Sequence, residues 1–382
     1  MVAKPHAFFP ADPQQYAAKP VPSLAEWKEL WTTWDIVTRH MIPEEELLSK
    51  PIKLRNECIF YLGHIPTFLD IHLARGTDGP PSKPAGFWKI FERGIDPDVE
   101  DPTKCHDHSE IPEAWPLLDE ILQHQQTVRK RAEALYASEE ATTNPRVARA
   151  MWLGFEHEAM HLETLLYMLI QSEKVQPPPG TLKPDFEALA KGSAANAVEN
   201  QWFTIPETTL KIGLDDPETD KSTHRYFGWD NEKPQRSVHV KAFRAKARPI
   251  TNGEYAEYLI QTGQSAIPAS WSEHAYINEK GANGLKRDSV VNQSANGVNG
   301  ASTRLTDGKY VRTVYGTVPL RYALHWPVMA SYDELRGCAQ WMGGRIPTME
   351  ETRSIYHYVD SLNAPDIAQS IGNTIPAVNG YV

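Results

Sequence analysis

The sequence predicts an α+β protein in two parts, a four-helix bundle followed by a mixed α/β region. Three observations point there. Four long segments with apolar residues at helical spacing fill the N-terminal part. Pro177-Pro178-Pro179-Gly180 and a small-polar stretch over 192–200 then interrupt the pattern, as a linker does. After Trp202 the period shortens to that of strands, with amphipathic helices between them. The expected division is a helical domain over 23–173, a linker over 174–200 and a second domain over 201–382.

Residues 1–22 are Pro-rich and read as irregular. Ser23-Leu24-Ala25-Glu26 is a capping box, in which serine and glutamate side chains satisfy free backbone donors. Leu24, Trp27, Leu30, Trp31, Trp34, Val37 and Met41 follow on one face, and Pro43 ends the helix. A second helix is expected over 52–72 with an interruption at Pro66, a third over 113–138 and a fourth over 145–174. In the second part, Phe203, Ile205, Leu210 and Ile212 sit in short extended segments, and 237–243 alternates as one half-buried strand. Thr251/Glu254, Ser331/Glu334 and Thr348/Glu351 have capping-box spacing and open three helices, the last running through Tyr358. Residues 281–309, rich in Gly, Asn and Ser, read as loop. No internal repeat is visible.

The chain has 382 residues and a net charge of −10, which excludes the basic face of a nucleic-acid binder. No apolar run approaches a membrane span, and the first residues lack the apolar stretch of a signal peptide. Cys58, Cys105 and Cys338 are scattered, odd in number and form no Cys-x-x-Cys. Neither a disulfide framework nor a thiolate zinc site is indicated, and the expected compartment is the reducing cytoplasm.

The segment that carries chemistry is Phe155-Glu156-His157-Glu158-Ala159-Met160-His161-Leu162-Glu163. On a helix, His157 and His161 lie one turn apart on one face, where two imidazoles can share a metal. Read literally it is also His-Glu-x-x-His, in which Glu158 would activate a zinc-bound water of a peptidase. No Gly-x-x-His follows, which leaves Glu187 as a formal third ligand. A better third ligand is His64, in Tyr61-Leu62-Gly63-His64-Ile65-Pro66 on the second helix. Three neutral nitrogens with open positions suit a catalytic iron, and equally zinc or copper; spacing does not choose among them. Glu158 and Glu163 read either as acids that orient the ligand N–H groups or, the preferred reading, as a solvated helix face. His106 and His108 read as solvated or structural.

His64 followed far downstream by His-Glu-x-x-His-x-Glu resembles the helical domain of the sulfoxide synthases of ergothioneine biosynthesis, the fungal enzymes above all. Phe227-Gly228-Trp229-Asp230-Asn231-Glu232-Lys233-Pro234, Pro249-Ile250-Thr251-Asn252-Gly253-Glu254-Tyr255 and Gly344-Arg345-Ile346-Pro347-Thr348 stand in the order seen in formylglycine-generating-enzyme-like domains. The resemblance implies a DinB-like helical domain and an incomplete, C-type-lectin-like second domain. It implies Fe(II) held by His64, His157 and His161, with O₂ as co-substrate. The implied reaction joins cysteine to hercynine (Nα-trimethylhistidine) as a sulfoxide. No catalytic residue is assigned.

The chain also departs from that family. No Gly-rich nucleotide loop precedes Ser23, so methyltransferase activity is expected from another chain or a missing segment. The Trp-Glu-Trp-like segment and tyrosine proton donor of the family are not found after residue 358, nor are the paired cysteines of true formylglycine-generating enzymes. Met160 stands where bacterial relatives often carry Gln. The arginines that bind γ-glutamylcysteine in those relatives have no match, which makes cysteine the expected donor. The competing readings are a catalytically incomplete fragment or paralogue that binds metal or ligand only, and a zinc metallopeptidase.

Overall fold

A computed structural model describes residues 17, 19–52, 55–92, 95–97, 105–107, 112–217, 226–276 and 305–363. Helix α1 (Leu24–Ile36) starts at the Ser23 capping box, with the Glu26 amide donating to Ser23 Oγ at 3.3 Å. It buries Trp27, Leu30, Trp31 and Trp34, ends in a π-helical turn over Val37–Met41, and stops before Pro43. Helix α2 (Cys58–Thr77) runs unbroken through Pro66, so the expected interruption does not occur. Proline removes one backbone donor here. Every residue from Cys58 to Thr67 is buried, however, and packing on all sides holds the helix together.

A short helix α3 (Phe87–Phe91) and a two-stranded antiparallel ribbon, β1 (Ile95–Pro97) with β2 (Cys105–Asp107), follow. Helix α4 (Leu118–Ala137), a single turn α5 (Glu140–Thr143) and α6 (Pro145–Leu169) complete the helical part. Asn144 caps α6 by accepting from the Arg146 amide at 3.0 Å, and Pro145 takes the first helical position, where its missing N–H costs nothing.

Within 174–200 the chain forms α7 (Phe186–Ala195), capped by Asp185, whose Oδ1 accepts from the Ala188 amide at 2.9 Å. Phe186 packs against Tyr315 and Trp326 of the second part. Strand β3 (Trp202–Ile205) pairs with β6 (Phe243–Lys246), and β4 (Thr208–Ile212) with β5 (Arg236–Val240), both antiparallel. The single strand expected over 237–243 is therefore two strands that break at 241–242 and pair with different partners. Strands β7 (Trp271–Ser272), β8 (Tyr310–Thr313) and β9 (Gly316–Pro319) form a third small sheet. Helices α8 (Asn252–Thr262), α9 (Tyr332–Trp341) and α10 (Met349–Asn363) each start at the capping box that the sequence marks. Most of the Gly-, Asn- and Ser-rich stretch falls outside the described residues. Among those described, no helix is long and apolar enough to cross a membrane.

The fold is thus helical first and mixed second, as the sequence predicts. One apolar core fills the helical part, and a smaller one gathers Tyr255, Leu259, Trp271 and Leu320. A polar clamp joins the two parts at α6. Arg149 donates to both Asp216 oxygens at 2.7 Å, and the Gly228 amide adds a third donor at 3.1 Å. The guanidinium lies 4.9 Å from the centre of the Phe227 ring, and Phe227 and Trp229 both pack on Trp152. Because the Asp216 side chain is fully buried, removing it leaves the buried Gly228 amide and the partly buried Arg149 guanidinium without their acceptor. Asp216→Ala should therefore cost the first unfolding transition about 3 kcal/mol in denaturant titration, and a loss below about 1 kcal/mol would show that apolar packing alone joins the parts.

Candidate metal centre

Two glycines decide how closely the elements of the site approach. At Gly154 on α6, an added Cβ would stand 2.5 Å from Leu69 Cδ1 of α2. At Gly63 on α2, it would stand 2.4 Å from the Phe91 ring of α3. The absent side chains let α2, α3 and α6 close on one another around the next residue along α2, His64.

That closeness brings His64, His157 and His161 together, with one ligating atom of each within 4.8 Å of the others. His64 Nε2 lies 3.2 Å from His157 Nε2. Its other nitrogen, Nδ1, is 2.7 Å from the Phe91 carbonyl oxygen. A carbonyl can only accept, so Nδ1 carries the proton and donates, and Nε2 is left with its lone pair facing inward. His64 and His157 are buried, and His161 is half-buried.

Burial disfavours the charged imidazolium. It pushes His64 down to about 4 and His161 down to about 3, with the neighbouring His64 also lowering His161. His157 is held well below the ordinary histidine range, first by burial and then by His64 and His161. All three are therefore neutral near pH 7, the state that binds a metal.

An aromatic jacket surrounds them. Phe60 stacks on His64 at 5.0 Å, Phe68 on His157 at 3.7 Å, and Tyr61 lies 5.8 Å from His161. Among the described residues, His157 Nδ1 and His161 Nδ1 are buried without a hydrogen-bond partner. Three converging neutral nitrogens, one with its tautomer set by a carbonyl, fit a divalent cation.

The other candidates fall elsewhere. Glu158 is not on a solvated face. Its side chain is buried on the α1–α4 side, with a hydrogen bond from Trp31 and Arg129 Nη2 at 4.0 Å. Burial pushes its carboxyl up to about 8, against the pull of Arg129. A peptidase needs this carboxylate on a metal-bound water, and here it is engaged by Trp31 and Arg129. Glu163 is exposed, in line with a solvated position. Glu187 sits on α7, where it pairs with Lys191 and accepts from Tyr322. His106 has its backbone in β2, while its side chain and His108 lie outside the described residues.

Sequence reasoning missed Phe91, whose carbonyl orients His64, and Phe60 and Phe68, which face the imidazoles. An aromatic at helical spacing reads as core, and nothing in the pattern distinguishes one that packs on a ligand.

Residues 25–165 match the DinB superfamily, and residues 190–354 match the sulfatase-modifying factor enzyme 1-like domain. The chain is 52% identical, over its whole length, to ergothioneine biosynthesis protein 1 of Neurospora crassa, and covers 44% of that protein. The chain belongs to the fungal ergothioneine biosynthesis protein family. Ergothioneine biosynthesis protein 1 of Schizosaccharomyces pombe is 33% identical over 90% of the chain, which spans 43% of it. The hercynine oxygenase of Mycolicibacterium smegmatis is 25% identical over 80% of the chain and 62% of its own length. The chain thus spans less than half the length of its two fungal relatives. In the order of its two domains, it agrees with what the family resemblance implies.

Two outcomes are expected at this centre. Protons compete for the ligands only below their depressed pKa values. Co(II) affinity should therefore change little between about pH 7.5 and about pH 5.5, whereas three ordinary histidines would lose roughly a thousandfold. Isothermal titration at both pH values checks this. Gly63→Ala should push the Phe91 ring away, lower the thermal midpoint through a cost of about 1–3 kcal/mol, and weaken Co(II) binding.

Proposed function

We propose that this chain is an enzyme of ergothioneine biosynthesis. In this reading it is a non-haem iron-dependent, O₂-using sulfoxide synthase that joins cysteine to hercynine. The observation that carries the proposal is the convergence of three neutral histidines in a DinB-type bundle. Its support is the similarity to proteins named for ergothioneine biosynthesis and to hercynine oxygenases.

His64, His157 and His161 would hold the metal, and Fe(II) would supply redox chemistry toward dioxygen at its open positions. The residues of this chain have separate tasks. The Phe91 carbonyl keeps the proton of His64 on Nδ1, so the ligand lone pair always faces the site. Phe60, Phe68 and Tyr61 fix the imidazole planes and keep bulk water from them. Water exclusion protects reactive species and strengthens the local electrostatics. Met160, next to His161, offers no strong hydrogen bond, so a substrate imidazole must be anchored by other groups.

Hercynine is to be supplied by a methyltransferase on another chain or another segment of the protein. The same reading places the protein in the cytoplasm, acting on small molecules and not on nucleic acid or membrane.

The test is product mass spectrometry. Protein loaded anaerobically with Fe(II) is mixed with hercynine and cysteine and then exposed to air. Hercynylcysteine sulfoxide above the iron-only level is the expected result, and His157→Ala should abolish both product and iron binding. Absence of product with iron demonstrably bound would identify a chain that holds the metal without turnover. Peptide cleavage that Glu158→Ala abolishes would instead establish the zinc peptidase.

A further inference from the structure

His64 is oriented by a carbonyl on a helix too short to hold its own direction. Helix α3 has five residues, and one turn of helix is not stable by itself. Phe91 is its last residue, so its carbonyl has no partner within the helix and is free to accept from His64. The question is what aims that carbonyl.

The contacts lead to Asp70. It lies on α2, six residues after His64, and its side chain is fully buried. One carboxylate there collects four donors. The Ser82 amide donates at 2.8 Å and Ser82 Oγ at 2.5 Å, Trp88 Nε1 at 3.0 Å, and Arg131 Nη1 at 2.9 Å. Arg131 also donates to the Pro80 carbonyl at 3.0 Å and to Thr77 Oγ1 at 3.1 Å. Trp88 sits on α3, three residues before Phe91. At the other end of the same segment, His124 of α4 lies 3.2 Å from the Lys83 carbonyl and 3.3 Å from Thr67 Oγ1.

Six residues along a helix turn the chain by about 240°, so Asp70 and His64 point to different sides of α2. Asp70 therefore reaches the metal site through α3. Its bond to Trp88 pins the helix, and the Phe91 ring is held by the space at Gly63 and by Trp115 at 5.6 Å. The carbonyl is left pointing at Nδ1. We infer that Asp70 is a positioning residue for the metal centre, acting through Trp88 and the Phe91 carbonyl to set the tautomer and plane of His64. This rests on the reading of the three histidines as metal ligands.

The inference separates the role of Asp70 from simple support of the fold. A carboxylate drawn fully out of water carries a desolvation cost that packed apolar side chains would avoid. Its yield is directional. It fixes the rotation of α3 about its own axis, which apolar contact leaves free.

The experiment compares Co(II) binding by wild type, Trp88→Phe, Asp70→Asn and Ser82→Ala, with circular dichroism and thermal melts of the metal-free proteins. Trp88→Phe removes only the link to α3 and leaves Asp70 its other donors. It should weaken Co(II) binding about tenfold, the scale expected for partners that orient a ligand. Its visible Co(II) absorption should also shift, because the His64 ring turns. Its metal-free melting temperature should stay close to that of wild type. Asp70→Asn should weaken binding at least as much. Ser82→Ala, which loses one donor to Asp70 but none of the bonds to α3, should leave both affinity and spectrum nearly unchanged.

Equal affinity and identical spectra for folded Trp88→Phe and wild type would overturn the inference while leaving the metal centre intact. Equal losses in Ser82→Ala and Trp88→Phe would overturn the route through α3. Failure of wild type to bind Co(II) or Fe(II) would overturn the metal reading and this inference with it.

Discussion

The close approach of α2 to α6 is the constraint on which the rest of the molecule depends. His64 belongs to one helix and His157 and His161 to the other, and imidazoles reach only a few ångströms from their backbones. Gly154 removes the side chain that would hold the helices apart against Leu69. Gly63 does the same for α3 against α2. Gly76, farther along α2, likewise lies close to the α6 backbone at Arg146 and Val147, so the two helices approach along their length, and Gly63 and Gly154 carry that approach to the histidines.

Charge in the helical part is kept off the triad. Each buried carboxylate nearby is given a guanidinium on another face. Asp70 has Arg131, Asp216 has Arg149, and Glu158 lies 4.0 Å from Arg129, whose guanidinium is bonded to Asp35. Among the described residues, the ligand cluster itself contains three histidines and no carboxylate. A divalent ion there would keep its full charge in apolar surroundings, a setting that favours anionic partners such as a thiolate. The same pairs also brace the frame, since the Arg149–Asp216 clamp ties the ligand-bearing helix to the second domain.

Much of this was legible in the sequence, for physical reasons that differ by element. The capping boxes at Ser23, Thr251, Ser331 and Thr348 are local, three residues long, and need no tertiary information. The i, i+4 pair His157/His161 follows from helix geometry, and His64 from the need for a facing ligand. What was not legible depends on packing. Pro66 is carried through α2 because the helix is buried on every side, which no local propensity encodes. The break at 241–242 depends on which strands β5 and β6 find as partners. Glu158 reads as solvated because an acidic side chain on a helix ordinarily faces water, yet its side chain is buried in the bundle toward Arg129. The Asp70 network draws on residues as far as 61 positions apart and has no sequence signature.

The helical core is built from apolar side chains such as Trp27, Trp34, Phe91, Leu165 and Met151, and the three clustered histidines are neutral. The order of assembly follows. Small zinc domains stay unfolded until the ion arrives. Here the polypeptide can mature first and be charged with metal afterwards. With the triad holding a metal as proposed above, a shortage of that metal would leave a reserve of finished but idle protein rather than a burden of misfolded chain.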